Sequence, residues 1–187
     1  NALREAPDVI MIGEIRDRNT MKQAIAYAET GHLCLSTLHA NNANQAMERV
    51  INFFPEEAHR QLLVDLSLNL AGVVSQRLIP GLHEKLVPAV EVMLNSSYIS
   101  DLIAKGEFSG IKEAMARSTE IGMCTFDQAL YQLYTEDRIS LDEALHNADS
   151  RTDLALRIRL AAGVSTQDAG DLSIDTSSPI QSAARLA

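Results

Sequence analysis

Two apolar runs in this sequence end on residues that can do chemistry. The first, DVIMIGEIRD (Asp8 to Asp17), stops on Gly13 and delivers the carboxylate of Glu14. The second, GHLCLSTLHA, ends with Thr37, Leu38 and the imidazole of His39. A carboxylate closing an apolar strand is what a Walker B element uses to hold magnesium, directly or through water, beside a nucleotide. Magnesium takes oxygen ligands and keeps several waters, so one or two protein carboxylates suffice. The same glutamate also reads as a solvated strand end or a helix-cap partner, and these residues alone leave both readings open. Gly13 favours the first, because a residue without a side chain lets another group approach the backbone. His39 reads as a loop or helix-capping histidine, or as a group that senses phosphate or handles a proton. A metal site from His32, Cys34 and His39 is opposed by strand parity: His32, Cys34 and Ser36 share one face, and His39 falls on the other. Spacing alone gives His32 a structural place at the start of its strand. Arg16 and Asp17 read as ordinary surface pairing partners.

Bringing Glu14 and His39 together requires elements that end on one edge. Pro7 precedes DVIMI, whose valine and isoleucine content and short length predict a strand buried on both faces, as in parallel sheets. Met21, Ala24, Ile25 and Ala28 recur at helical spacing, with Asp17 or Asn19 to cap the start and Gly31 to end the helix. HLCLST is a second strand. Strand, helix, strand makes a right-handed crossover with parallel strands, so both strands end on the same side of the sheet. In open parallel sheets ligands bind outside those carboxyl ends.

Downstream, NNANQAMERVINFF places Ala43, Ala46, Met47, Val50, Ile51 and Phe54 on one helical face and is closed by Pro55. A further helix, roughly Glu56 to Val73, turns Leu62, Leu63, Leu66 and Leu70 inward. SQRLIP and LVPAVEVML read as two short strands joined by a turn at Pro80-Gly81, with Pro88 placing the second at an edge. From about Ser96 the pattern is short helices. Thr125 and Gln128 form a capping box ahead of the stripe Phe126, Ala129, Leu130 and Leu133, and Ser140 with Glu143 forms another. The division predicted is a partial ATPase core over 1–95, a helical subdomain over 96–160 and a disordered tail over 161–187, rich in Ser, Asp, Ala and Gly without periodicity. No internal repeat is present.

The chain has 187 residues, enough for one good core or one core with a small appendage. A hydrophobic share of 46% and a charged share of 22% are those of an ordinary soluble protein, and no apolar stretch reaches the roughly 20 residues that cross a bilayer. A net charge of −9 and only 4% aromatic residues argue against a nucleic-acid binder, which needs a basic face and stacking platforms. Cys34 and Cys124 are too far apart in sequence for a CxxC knuckle and fit a reducing cytoplasm. The opening NALREAPDV has no initiator methionine and no secretory signal, and the chain is expected to be the back part of a longer protein.

DVIMIGEIRD, AETGHLCLSTLHANNA and GMCTFDQAL together resemble the type IV pilus retraction and secretion ATPase family (PilT/PilU type), nearest its accessory twitching-motility branch. The resemblance covers Asn1 to about Arg159 and implies an α/β fold: the carboxyl-terminal part of a RecA-like, mostly parallel sheet with flanking helices, followed by a small all-helical subdomain. It implies ATP and Mg2+ as cofactors. Glu14 matches the Walker B end, at the magnesium, through water. His32 and His39 match the family's histidine box at the nucleotide, with His39 approaching the γ-phosphate. Glu14 and His39 are then the catalytic pair. The expected assembly is a homo-hexamer on the cytoplasmic face of the inner membrane, with a sister retraction ATPase and an inner-membrane pilus platform protein as partners.

The family's phosphate loop, G-x-x-x-x-G-K-[ST], appears nowhere in this sequence, and neither does the acidic box that supplies the catalytic base. Both are expected upstream of Asn1, so this chain alone is expected to be inactive. Retraction motors of this family carry an Ala-Ile-Arg-Asn-Leu-Ile-Arg-Glu motif. The matching YISDLIAK (Tyr98 to Lys105) keeps Ile99, Leu102 and Ile103 but has Ser100 and Ala104 in place of the arginines. That points to the accessory branch, although Ile99, Leu102 and Ile103 also read simply as helix core. An assembly-type traffic ATPase is the nearest rival, and it usually carries a tetracysteine zinc module that two cysteines cannot make. A RecA-like nucleic-acid motor, which the acidic balance opposes, and a catalytically silent interaction module are two further readings.

Overall fold

Strand β1 (Val9–Glu14) leads into helix α1 (Arg18–Glu29), which returns the chain to strand β2 (Leu33–Thr37). A computed structural model describes residues 7–163 and shows β1 and β2 paired in parallel, as the crossover predicts. Asp17 caps α1 by accepting from the Thr20 amide at 2.9 Å. Thr30 closes it, and Gly31 follows at φ 86°, a conformation glycine adopts without strain.

Burial of these strands on both faces is not observed. Ile12 and Cys34 pack, with Leu38, against the core that holds Met21, Ala24 and Ile25. Val9, Met11, Leu33 and Leu35 stand exposed on the other face, Met11 at 79%. Only one helical layer covers this pair among the described residues, and a parallel pair needs cover on both sides to bury both faces.

Helices α2 (Ala43–Asn52) and α3 (Glu56–Asn69) follow, with Asn42 and Pro55 at their amino caps. Ala43, Ala46, Met47 and Val50 form the buried stripe of α2, as their spacing requires. Helix α3 stops at Asn69 rather than near Val73, because Gly72 and Val73 are taken into the ladder of the next hairpin. That hairpin pairs β3 (Gly72–Pro80) with β4 (Leu86–Leu94) antiparallel in unbroken register. Its inward face runs Ile79, then Val87, Ala89, Glu91 and Met93, all buried.

The remainder is helical: α4 (Ser97–Lys105), α5 (Ile111–Ala116), α6 (Phe126–Thr135), α7 (Leu141–Asn147) and α8 (Arg151–Ala161). Two buried clusters result. One joins α1, α2 and α3 with Met93, α4, α5 and Met123; the other joins Ile79, Val87 and Ala89 of the hairpin with α6, α7 and α8. Each therefore draws residues from both sides of Asn95. Helix α8 carries regular structure to Ala161, one residue into the stretch expected to be disordered; the rest of that expectation, over 164–187, lies outside the described residues.

The capping box at Thr125 forms in both directions, Thr125 accepting from the Gln128 amide and Gln128 from the Thr125 amide. The box expected at Ser140 forms by half. Ser140 accepts from the Glu143 amide at 3.1 Å, but the Glu143 carboxylate takes the Asn147 side-chain amide instead. Thr125→Ala is therefore expected to cost about 1 kcal/mol or more, and Ser140→Ala less. Urea unfolding checks this as a larger fall in midpoint for Thr125→Ala at unchanged slope.

Candidate functional site

The register between β1 and β2 slips once, between Ile12 and Glu14, leaving Gly13 as the extra residue of a bulge. On the far side of the slip Glu14 pairs with Thr37, and two bonds lock the strand ends together. The Thr37 hydroxyl donates to the Gly13 carbonyl at 2.6 Å, and the Ile15 amide donates to the Thr37 carbonyl at 2.9 Å. The bulge re-aims Glu14, and its carboxyl meets the His39 ring, Nε2 lying 3.1 Å from Oε1. Parallel strands thus deliver the two residues to one edge.

A third side chain completes the group. Arg16 donates from Nε to Glu14 Oε2 at 2.6 Å. Its hydrogen bond, with the charges of Arg16, His39 and Arg49, holds the Glu14 carboxyl below its ordinary value of 4.5, against an opposing effect of burial. The surface pairing expected of Arg16 is met by Glu14, two residues earlier. Asp17 turns away to cap α1, and the Thr20 amide depresses its carboxyl.

His32 is not brought to this group. It sits at the amino end of β2, where Nδ1 lies 3.0 Å from the Thr30 hydroxyl and 3.2 Å from the Tyr27 carbonyl. There it braces the turn from α1. Cys34 faces the core from mid-strand, and no cluster of three or more His, Cys, Asp or Glu side chains suited to a metal occurs among the described residues. In the YISDLIAK segment, Ile99, Leu102 and Ile103 are core, 0%, 5% and 0% exposed. Ser100 donates to the Ser67 carbonyl at 2.7 Å, near the end of α3, and Ala104 lies on the solvent face.

A nucleotide-bound magnesium ion fits the donor set at Glu14. A Cβ built on Gly13 meets nothing within 4 Å, so the space beside the bulge is open. Arg16 occupies Oε2 with two nitrogens and His39 meets Oε1, whose second lone pair can accept from a magnesium-bound water. The grooves of about 400 and 380 Å3 lie elsewhere, the first beside α5, α6 and α8 and the second between α1 and α3.

The family model described as "Type II/IV secretion system protein" matches residues 1–156. The chain is 59% identical to the type IV pilus ATPase PilU of Pseudomonas aeruginosa, over 92% of this chain and 45% of that protein. It is 36% identical to the pilus retraction ATPase PilT of the same organism, over 79% of this chain and 43% of that one. The crystal structure of the pilus retraction motor PilT with bound ADP superimposes with a TM-score of 0.73 at 35% identity, covering 83% of this chain and 43% of that chain. The described residues thus have the fold of the carboxyl-terminal part of a RecA-like ATPase, and the chain spans less than half the length of these relatives.

Removing Arg16 deletes the largest cause of the Glu14 depression. Arg16→Ala is expected to move the Glu14 titration upward, toward 4.5, as followed by carboxyl carbon-13 NMR. The stability carried by the depressed carboxyl is present above its ordinary value and is lost as pH falls through the depressed one, so the variant loses that dependence.

Proposed function

The chain belongs to the type II/IV secretion system protein family, and from that membership we propose that its parent is a hexameric, ATP-hydrolysing motor that assists type IV pilus retraction. Residues 1–95 are its share of the RecA-like core and 96–160 its helical subdomain. The observation that carries this reading is the meeting of Glu14 and His39 at the ends of parallel strands, beside an open glycine bulge.

The chemistry asked of these residues is positioning and charge stabilisation, the main demands of phosphoryl transfer. Magnesium, when bound, supplies charge neutralisation at the phosphate oxygens. Glu14 accepts a hydrogen bond from water on its free lone pair, which orients the cation's hydration shell and the attacking water. Because a carboxylate only accepts, the His39 Nε2 carries the proton between them. That bond fixes the ring, and once protonated the ring has Nδ1 as a second donor for the γ-phosphate. His32 supports the histidine box from the amino end of β2, where it braces the α1–β2 turn. Hydrolysis changes the packing between neighbouring subunits as rigid bodies.

No described helix is long and apolar enough to cross a membrane. A peripheral place on the cytoplasmic face of the inner membrane suits this, with a platform protein and a sister retraction ATPase as partners. The present sequence has no phosphate loop, so it neither holds ATP tightly nor turns it over alone.

In the parent, Glu14→Gln is expected to lower ATP turnover about a hundredfold or more while leaving nucleotide binding in place. His39→Ala is expected to lower turnover by about a hundredfold. Steady-state ATPase assays alongside a fluorescent-nucleotide titration measure both. Wild-type turnover in the Glu14 variant would remove the assignment.

A further inference from the structure

Along the inward face of β4, Val87 and Ala89 belong to one buried cluster and Met93 to the other, and between them stands a carboxylate, Glu91, only 3% exposed. It accepts from the Ala43 amide at 2.8 Å, at the first residue of α2. The acid therefore satisfies an orphan amide at the amino end of α2, where the helix dipole favours a negative charge. An apolar residue at this position would leave the Ala43 amide without its partner.

The strand beside it supplies the counterpart. Arg77 lies diagonally across the ladder, its guanidinium 4.0 Å over the Phe126 ring. It donates to the Asn41 carbonyl at 3.2 Å, to Asp149 at 2.7 Å and to the Asn147 carbonyl at 2.8 Å. Glu91 and Arg77 thus grip residues 41 and 43, and Arg77 ties them to the Phe126 ring and to residues 147 and 149 between α7 and α8. Residue 41 is two positions beyond His39. The imidazole itself is 80% exposed, with Glu14 as its ionic contact.

We propose that Glu91 and Arg77 are positioning residues for His39: by clamping the start of α2 to the hairpin they fix the loop that carries the imidazole, and they couple that loop to the helical carboxyl-terminal part. The inference rests on the Glu14–His39 reading above. A buried charged junction suits the task because it is satisfied in one arrangement only, so a displacement at either end breaks bonds at the other.

The test uses the full-length parent. Glu91→Gln keeps the shape but removes the charge beside the start of α2, and Arg77→Lys keeps the charge but loses the fork. Each is expected to lower ATP turnover about tenfold, to lose that effect in a His39→Ala background, and to speed amide exchange selectively over residues 38–46. Ser96→Ala, which removes the amino cap of α4 and touches none of the bonds made by Glu91 or Arg77, serves as the control for plain destabilisation and should leave exchange in 38–46 unchanged. Undiminished losses in the His39→Ala background, or unchanged exchange over 38–46 in both variants, would overturn the proposal. If His39→Ala alone leaves turnover intact, the site reading fails instead, and the exchange pattern still decides whether the clamp holds the loop. Should Glu91→Gln not fold, Arg77→Lys carries both measurements.

Discussion

The site depends on the direction of one strand pair. Because β2 runs parallel to β1, the carboxylate closing the first and the imidazole just beyond the second reach the same edge, 3.1 Å apart. Antiparallel pairing of the same residues would have sent them to opposite ends. Parallel direction in turn requires a crossover long enough to return the chain, which the twelve residues of α1 supply. The Gly13 bulge makes the final adjustment, and the Thr37 hydroxyl holds it by bonding the glycine carbonyl. Backbone geometry thus does what no single side chain could.

Much of this is legible in the sequence. Short apolar runs, separated by a capped helix of regular period, specify the crossover, and the crossover specifies the shared edge. The hairpin strand Leu86–Leu94 is bounded as its sequence suggests. What escapes the pattern is decided by contacts distant in sequence or by competition between neighbours. Helix α3 yields its last turn to the ladder of β3, since Gly72 and Val73 gain partners on β4 that a helix end could not offer. The Ser140 box is half made because Asn147, one turn further on, competes for the Glu143 carboxylate. The double burial implied by DVIMI is met on one face, and Val9, Met11, Leu33 and Leu35 keep the composition of a covered surface without a cover among the described residues.

Glu91 left a trace that pattern reading passes over. In LVPAVEVML the inward positions Val87, Ala89 and Met93 are apolar and the fourth, Glu91, is an acid. An acid at inward parity in a strand is costly to bury without donors, so its presence signals donors close by. Which donor cannot be read from the strand itself, because it is the backbone amide at the start of a helix 48 positions earlier in the chain.

The two glutamates show how environment divides one chemistry into two roles. Glu14 lies at an edge among cationic groups, with Arg16 foremost, and its carboxyl is held below the ordinary range. Glu91 lies between two cores, and burial pushes its carboxyl up despite the amides that favour the charged form. The linkage signs are opposite. For Glu14 the folded state gains stability above the ordinary carboxyl value and loses it as pH falls through the depressed one. For Glu91 the folded state favours the proton, so its contribution declines as pH rises from the ordinary value through the raised one. The edge carboxylate is suited to exchanging partners with water and a cation, because its ionised form is secured by mobile side chains that can yield. The buried one is suited to staying put, because it is secured by backbone that cannot. A site that must change occupants while its frame stays fixed needs one of each.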